Sequence, residues 1–207
     1  TFSSIAANHA ISATFAINTY TLGVTTANGT VTKSPDQPTY NHGTTVQLTA
    51  TPATGYHFVN WSGDATGIAN PVSVTMDGNK NVTANFAINT YTITPTAGAN
   101  GAITPASVQT VNYGSSSTFT IIPSAGYHVA DVLVDGVSVG AVGSYTFSSI
   151  AANHAISATF AINTYTLGVT ATNGTVTKSP DQPTYNHGTT VQLTATPATG
   201  YHFMNWS

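Results

Sequence analysis

The chain repeats itself. Residues 1–62 return as 146–207, and only three of those 62 positions change: Thr26 and Ala27 become Ala171 and Thr172, and Val59 becomes Met204. Self-similarity at a fixed period marks an array of supersecondary units, each too small to bury its own apolar face fully without neighbours. An older duplication lies inside this long period. Ala16-Ile17-Asn18-Thr19-Tyr20-Thr21 recurs from Ala87 and again from Ala161, and Gly55-Tyr56-His57 recurs as Gly126-Tyr127-His128 and Gly200-Tyr201-His202. Asn28-Gly29 matches Asn100-Gly101, Gly43 matches Gly114, and Pro52 matches Pro123.

These correspondences divide the chain into modules of roughly 70 residues. Residues 17–87 form a Trp-containing module and 88–161 a diverged one. Residues 162–207 read as a truncated copy of 17–87, and 1–16 as the last strands of a partial module. The expectation is a window on a longer alternating array. A core of this size supplies only about 3–5 kcal/mol, so each module gains from stacking on its neighbours. The run Ala87-Ile88-Asn89-Thr90-Tyr91 joins two modules without Gly or Pro, which predicts a stiff junction.

Within each module apolar residues alternate with threonines. Tyr20, Leu22 and Val24 do so, as do Val46, Leu48 and Ala50, Val72, Val74 and Met76, and Val82, Ala84 and Phe86. The second module repeats the scheme at Phe119 and Ile121, Val132 and Val134, Tyr145 and Phe147, and Ile156, Ala158 and Phe160. Period-two alternation predicts half-buried antiparallel strands. Asn28-Gly29, Asn41-His42-Gly43, Asp77-Gly78-Asn79 and Asp135-Gly136 carry the turn chemistry that separates them. The expected fold is all-β, a tandem array of small antiparallel modules, sandwich-like or grasp-like, with room for a short helical turn over 63–70.

Charge narrows the function. Charged residues are 4% of the chain, three Lys (Lys33, Lys80, Lys178) and six Asp, with no Arg and no Glu, against about a quarter in ordinary globular proteins. The near absence of Lys and Glu removes the usual occupants of exposed helices. A formal charge of −3 offers no basic footprint, so nucleic acid is not an expected partner. No eighteen-residue apolar run is present, so this segment is not expected to enter a membrane. The chain has no Cys, hence neither disulfides nor thiol chemistry.

The ordered motif Tyr-Thr-(Leu/Ile), Asn-Gly, Ala-Thr-Pro, Gly-Tyr-His-Phe-x-Asn-Trp-Ser-Gly, Val-Thr-Met-Asp-Gly-Asn-Lys-Asn-Val-Thr-Ala-Asn-Phe resembles the divergent internalin B-repeat family. Residues 17–87 carry all of it, through Gly55, Tyr56, Phe58, Trp61, Gly63, Met76, Val82 and Phe86. The second module departs, with Val132 in place of the Trp and an insertion over 148–153. The resemblance implies a repeat of large secreted or surface-anchored bacterial proteins, where such modules act as spacers, stalks or adhesive regions.

Candidate sites are few. Without Glu, Cys or Arg, catalytic chemistry would fall to Asp, His, Ser and Thr, and no Gly-x-Ser-x-Gly elbow is present. The seven histidines (His9, His42, His57, His128, His154, His187 and His202) fall in or just after turns and read as structural or solvent-facing. The chain is therefore not expected to be an enzyme or to carry a cofactor. Asp77, Asn79 and Asn81 open like a calcium loop, yet Val82 stands where its Gly belongs and no Glu closes it; an Asp-Gly turn is the competing reading. A Lys–Asn cross-link would need a buried Lys, and the diverged module has none. Tyr40, Tyr56 and Trp61 could stack on sugars or anchor a core.

Three functions remain. The first is a structural repeat region of an extracellular bacterial surface protein or filament, extending end to end and pairing with copies of itself through uncharged strand edges. The second is an adhesin or glycan-binding module with a surface polysaccharide as partner, and the third is an accessory module of a secreted hydrolase.

Overall fold

The computed structural model describes residues 3–207. Every regular element among them is a strand, and the chain divides into two units, Thr1–Asn89 and Thr90–Ser207. The division falls within two residues of the boundary between modules 17–87 and 88–161.

In the first unit, alternation of apolar residues and threonines gives β1 (Thr19–Tyr20), β2 (Leu22–Thr26), β3 (Gly29–Ser34), β4 (Tyr40–Asn41), β5 (Thr45–Pro52), β6 (Tyr56–Gly63), β7 (Val72–Thr75) and β8 (Lys80–Ile88). They build a β3-β5-β7 sheet, a β2-β8-β6 sheet and the short β1-β4 pair. Val46, Leu48, Ala50 and Val74 from the first sheet meet Leu22, Val82, Ala84 and Trp61 from the second in one core, with Tyr40 and Met76. That is a small sandwich, the first of the two architectures expected. No helical turn forms over 63–70; Trp61 instead bridges Gly67.

One expectation needs correcting. The modules are not purely antiparallel, because β2 runs parallel to β8 in register Leu22↔Lys80 to Thr26↔Ala84. Alternation reports which face is buried and is blind to strand direction. Here the first and last long strands of the module lie side by side, and the rest of the module serves as the crossover that a parallel pair requires.

The second unit repeats this plan with β9 (Thr90–Ala97), β10 (Gly101–Thr104), β11 (Gln109–Asn112), β12 (Ser117–Pro123), β13 (Tyr127–Val134), β14 (Val137–Gly140), β15 (Ser144–Phe147) and β16 (His154–Ile162). A β10-β12-β15 sheet faces a five-stranded sheet, β11-β9-β16-β13-β14, in which β9 and β16 are the parallel pair. Strand register makes Val132 the equivalent of Trp61, since each pairs with the matching alanine, Ala158 or Ala84. The volume given up there is refilled across the core. Phe119, Ile121 and Phe147 stand where the first module has Leu48, Ala50 and Val74, and all three are buried. Larger residues at these positions offset the loss of the indole, the kind of exchange that cores tolerate.

Turn chemistry divides in an unexpected way. In Asp135-Gly136 both residues take positive φ, 51° and 82°, the signature of a type I′ hairpin. At Asn28-Gly29 and Asn100-Gly101 the asparagine alone takes positive φ. The glycine is needed for another reason: a Cβ at Gly29 would lie 2.6 Å from the Phe86 ring, and one at Gly101 would enter the Phe160 ring.

The remainder of the second unit holds β17 (Thr164–Tyr165), β18 (Gly174–Ser179), β19 (Tyr185–Asn186) and β20 (Gln192–Pro197), in the pairs β17-β19 and β18-β20. The counterparts of β2 and β6, over 167–171 and 201–207, hold no strand. The strands expected within residues 1–16 are also not formed over 3–16; residues 1 and 2 lie outside the described residues. The same sequence at 154–162 is a strand because β9 and β13 flank it, whereas in the first unit the equivalent place is held by β8.

Candidate functional site

The aromatic candidates come first, since they separate a sugar platform from a core. Trp61 and Tyr40 are each 1% exposed. The Trp61 indole N–H donates to the Ala69 carbonyl at 2.9 Å, and its ring packs on Phe58 with centroids 5.2 Å apart. The Tyr40 hydroxyl donates to Pro35 O at 3.1 Å and accepts from the Gln37 amide at 3.2 Å. Both rings are core residues whose polar tips are satisfied by backbone, so neither can stack on a sugar; only Tyr56 keeps partial exposure. The core won because a small module has few other large apolar groups to bury.

The acidic turn is occupied by its own contacts. Asp77 pairs with Lys80 at 2.6 Å, and this ammonium holds the Asp77 carboxyl below its ordinary range. Asn79 Oδ1 accepts from the amide and hydroxyl of Thr21 at 3.0 and 3.3 Å, tying the turn to the start of β2. The Asn81 amide donates to Asp64 Oδ2 at 2.6 Å. Of the three proposed ligands, then, Asp77 and Asn79 face different neighbours. Among the described residues no group of three or more His, Asp, Glu or Cys side chains converges as a metal site would.

The histidines make contacts of different kinds. His154 Nδ1 donates to Asp135 Oδ2 at 2.7 Å, and Asp135 Oδ1 accepts the Ala155 amide at 2.8 Å. The Ala155 amide, followed by His154, holds the Asp135 carboxyl below its usual range. This clasp binds the β13–β14 turn to the start of β16.

Other histidines mark the exit of each module. After β8 a single residue, Asn89, precedes β9; its amide donates to Gly55 O at 2.8 Å and its Oδ1 accepts from His57 Nδ1 at 2.8 Å. After β16 a single residue, Asn163, does the same with Gly126 O at 2.8 Å and His128 Nδ1 at 2.9 Å. Asn163 also reaches forward, its carbonyl accepting the His187 amide at 2.8 Å. The His187 ring then covers Gly126, where a Cβ would collide with it. Gly126 has φ +81°, so the position rejects side chains on both conformational and steric grounds. One asparagine thus fastens residues 88–161 to residues 162–207 by its amide, carbonyl and side chain together.

Sequence reading placed these histidines in turns and gave them no partners. The signal was present, since Asn of Ala-Ile-Asn-Thr-Tyr and His of Gly-Tyr-His recur together, but only strand pairing brings the two motifs into contact. Tyr56↔Ile88 and Tyr127↔Ile162 are the registers that do so.

No curated protein matches the chain. The model of the divergent InlB B-repeat domain matches residues 20–90, 91–164 and 165–207, with boundaries three residues past those read from the internal repeat. With nearly the whole length matched in three repeats, the chain belongs to the divergent InlB B-repeat domain family.

Proposed function

We propose that the chain is a non-catalytic structural repeat region of an extracellular bacterial surface protein or filament, extending end to end. The observation that carries this reading is the repeated exit clasp. Asn89 and Asn163 leave their modules through the same two hydrogen bonds, with one residue between consecutive strands. An exit residue held by both main chain and side chain in the same way in successive copies suits a spacer built of equal modules and gives nothing to a single catalytic centre. Near-identical copies serve the same end. The burial of Tyr40 and Trp61 takes away the aromatic face on which the glycan-binding reading rested.

Small-angle X-ray scattering tests this directly. A chain lengthened by one further 145-residue repeat should gain maximum dimension in proportion to the modules added, with a rod-like cross-section. Growth in radius without growth in length would sink the end-to-end reading. Replacing Asn163 with Ala should loosen the junction and broaden the distance distribution while each module stays folded.

A further inference from the structure

Modules 17–87 and 88–161 each place their first long strand beside their last one and parallel to it. In the first, β2 pairs with β8 over five residues, Leu22↔Lys80 to Thr26↔Ala84. In the second, β9 pairs with β16 over five, Ile93↔His154 to Ala97↔Ala158. The chain enters a module just before the first strand of the pair and leaves it just after the second, so tension along the chain arrives at these two strands. Their parallel order fixes what that tension does. It draws β2 backward from its start and β8 forward from its end, and the two are made to slide past each other. The evenly spaced hydrogen bonds between them then carry the load together. Ends that met in an antiparallel pair would instead open one bond at a time.

Asparagines fasten both ends of this pair in both modules. At the entry, Asn79 Oδ1 accepts the Thr21 amide at 3.0 Å, and the Lys80 amide donates to Thr21 O at 3.0 Å. In the second module Asn153 Oδ1 accepts the amide of the equivalent Thr92 at 2.8 Å. At the exit, Asn89 holds Gly55 and His57, and Asn163 holds Gly126 and His128, so tension leaving β8 or β16 is shared with β6 or β13. Behind each pair lies the core: Leu22, Val82 and Ala84 are buried in one module, and Ile93, Ile156 and Ala158 in the other. Sliding would therefore strip apolar contacts together with hydrogen bonds. The diverged module carries an insertion over 148–153 and lacks the tryptophan, yet it keeps the parallel pair and both asparagines.

We infer that each module is a mechanical clamp, whose further function is to stay folded while the chain is held under tension. This goes beyond the end-to-end reading, because it concerns one module between its own two ends and holds for any arrangement of its neighbours. Resistance of this kind is kinetic. Forced unfolding is governed by the barrier to unfolding, here the barrier to sliding, and not by equilibrium stability. The small core of a module of this size is therefore no obstacle to it.

The test is single-molecule force spectroscopy on the 207-residue chain, with handles attached through pairs of introduced cysteines; the chain has none of its own. Ile17→Cys with Thr90→Cys loads module 17–87 through its two ends. Ile17→Cys with Gly78→Cys instead pulls the starts of β2 and β8 apart, so that the pair is peeled bond by bond. Ile17 and Thr90 are exposed, and a Cβ at Gly78 meets nothing within 4 Å, so both double variants should keep the urea midpoint of the wild type. Loaded at 17 and 90, the module should unfold in one step that releases at most about 250 Å of chain, at ~3.4 Å per residue. The peak force should be at least twofold above that for handles at 17 and 78. Asn79→Ala, added to the first pair, should lower that peak while the urea midpoint moves little. Equal forces in the two geometries, or a gradual extension without a peak, overturn the clamp and leave the scattering test of the end-to-end reading intact. An unaltered peak in Asn79→Ala overturns the part given to the entry asparagine.

Discussion

Residues 17–62 and 162–207 differ at three positions, yet they do not fold alike. Their hairpins agree: β3 pairs with β5 from Gly29↔Pro52 to Ser34↔Gln47, and β18 pairs with β20 from Gly174↔Pro197 to Ser179↔Gln192. So do the Tyr40 and Tyr185 hydroxyls, each donating to a proline carbonyl at 3.1 Å. What differs is everything that leans on β8. Leu22 is buried and Leu167 half-buried; β6 is a strand and 201–207 is not. None of the three substitutions accounts for this, since Thr26, Ala27 and Val59 all lie on exposed positions. The hairpin closes on partners a short way along the chain, whereas β2 and β6 need a central strand tens of residues away. Contacts of low sequence separation are specified locally, and distant ones exist only once their partner is in place.

The comparison can be broken most sharply at the two tryptophans. Trp61→Ala removes a fully buried side chain at a cost of about 3–5 kcal/mol, as much as a module of this size holds, and the module 17–87 should unfold. Trp206→Ala removes a side chain that is 51% exposed and should cost about 0.5 kcal/mol or less, as surface changes do. Urea denaturation followed by circular dichroism reads both, and equal losses would refute the comparison.

A second pair of variants isolates the junction. Gly126 and Gly200 are repeat equivalents with φ of +81° and +83°, so alanine carries the same backbone strain of about 1–2 kcal/mol at each. Only at Gly126 does the new Cβ meet the His187 ring; at Gly200 nothing lies within 4 Å. Gly126→Ala should therefore lower the melting temperature more than Gly200→Ala and widen the scattering profile as well. Equal effects would show that the ring contact adds nothing to the junction.

The smallest expected effect is electrostatic. The folded-state pKa of Asp135 lies below the ordinary aspartate value of 3.8. Its stabilising contribution is thus fully present above that value and is lost as pH falls through the depressed folded pKa. The melting temperature of the wild type should fall on acidification from pH 5 to pH 3, and Asp135→Asn should flatten part of that slope. Asp77, lowered chiefly by its hydrogen bond from Lys80, makes the same contribution in the first unit. An unchanged slope in Asp135→Asn would show that the Asp135–His154 clasp does not discriminate the folded from the unfolded chain.

Much of this was legible in the sequence. Alternation at Val46, Leu48 and Ala50 identified buried faces, and Asp135-Gly136 a tight hairpin, because side-chain period and φ preference are properties of neighbouring residues. The internal repeat fixed the module period and the positions of the junctions. Three things lay beyond its reach. Strand direction escaped it, since alternation is the same in β8 whether its neighbour runs parallel or antiparallel. The fate of Trp61 and Tyr40 escaped it too, as an aromatic ring suits a core or a surface equally until its surroundings are known. Last, the clasps of Asn89 and Asn163 depend on two motifs separated by some thirty residues meeting across a sheet.

The chain's own residues determined that it would be all-β, modular and periodic, because these follow from patterns no longer than a strand or a repeat. Only the tertiary structure decided which copies of an identical sequence become strands. A strand is completed by hydrogen bonds to a neighbour, and residues 10–17 and 155–162, the same eight residues, differ only in whether β9 and β13 stand beside them.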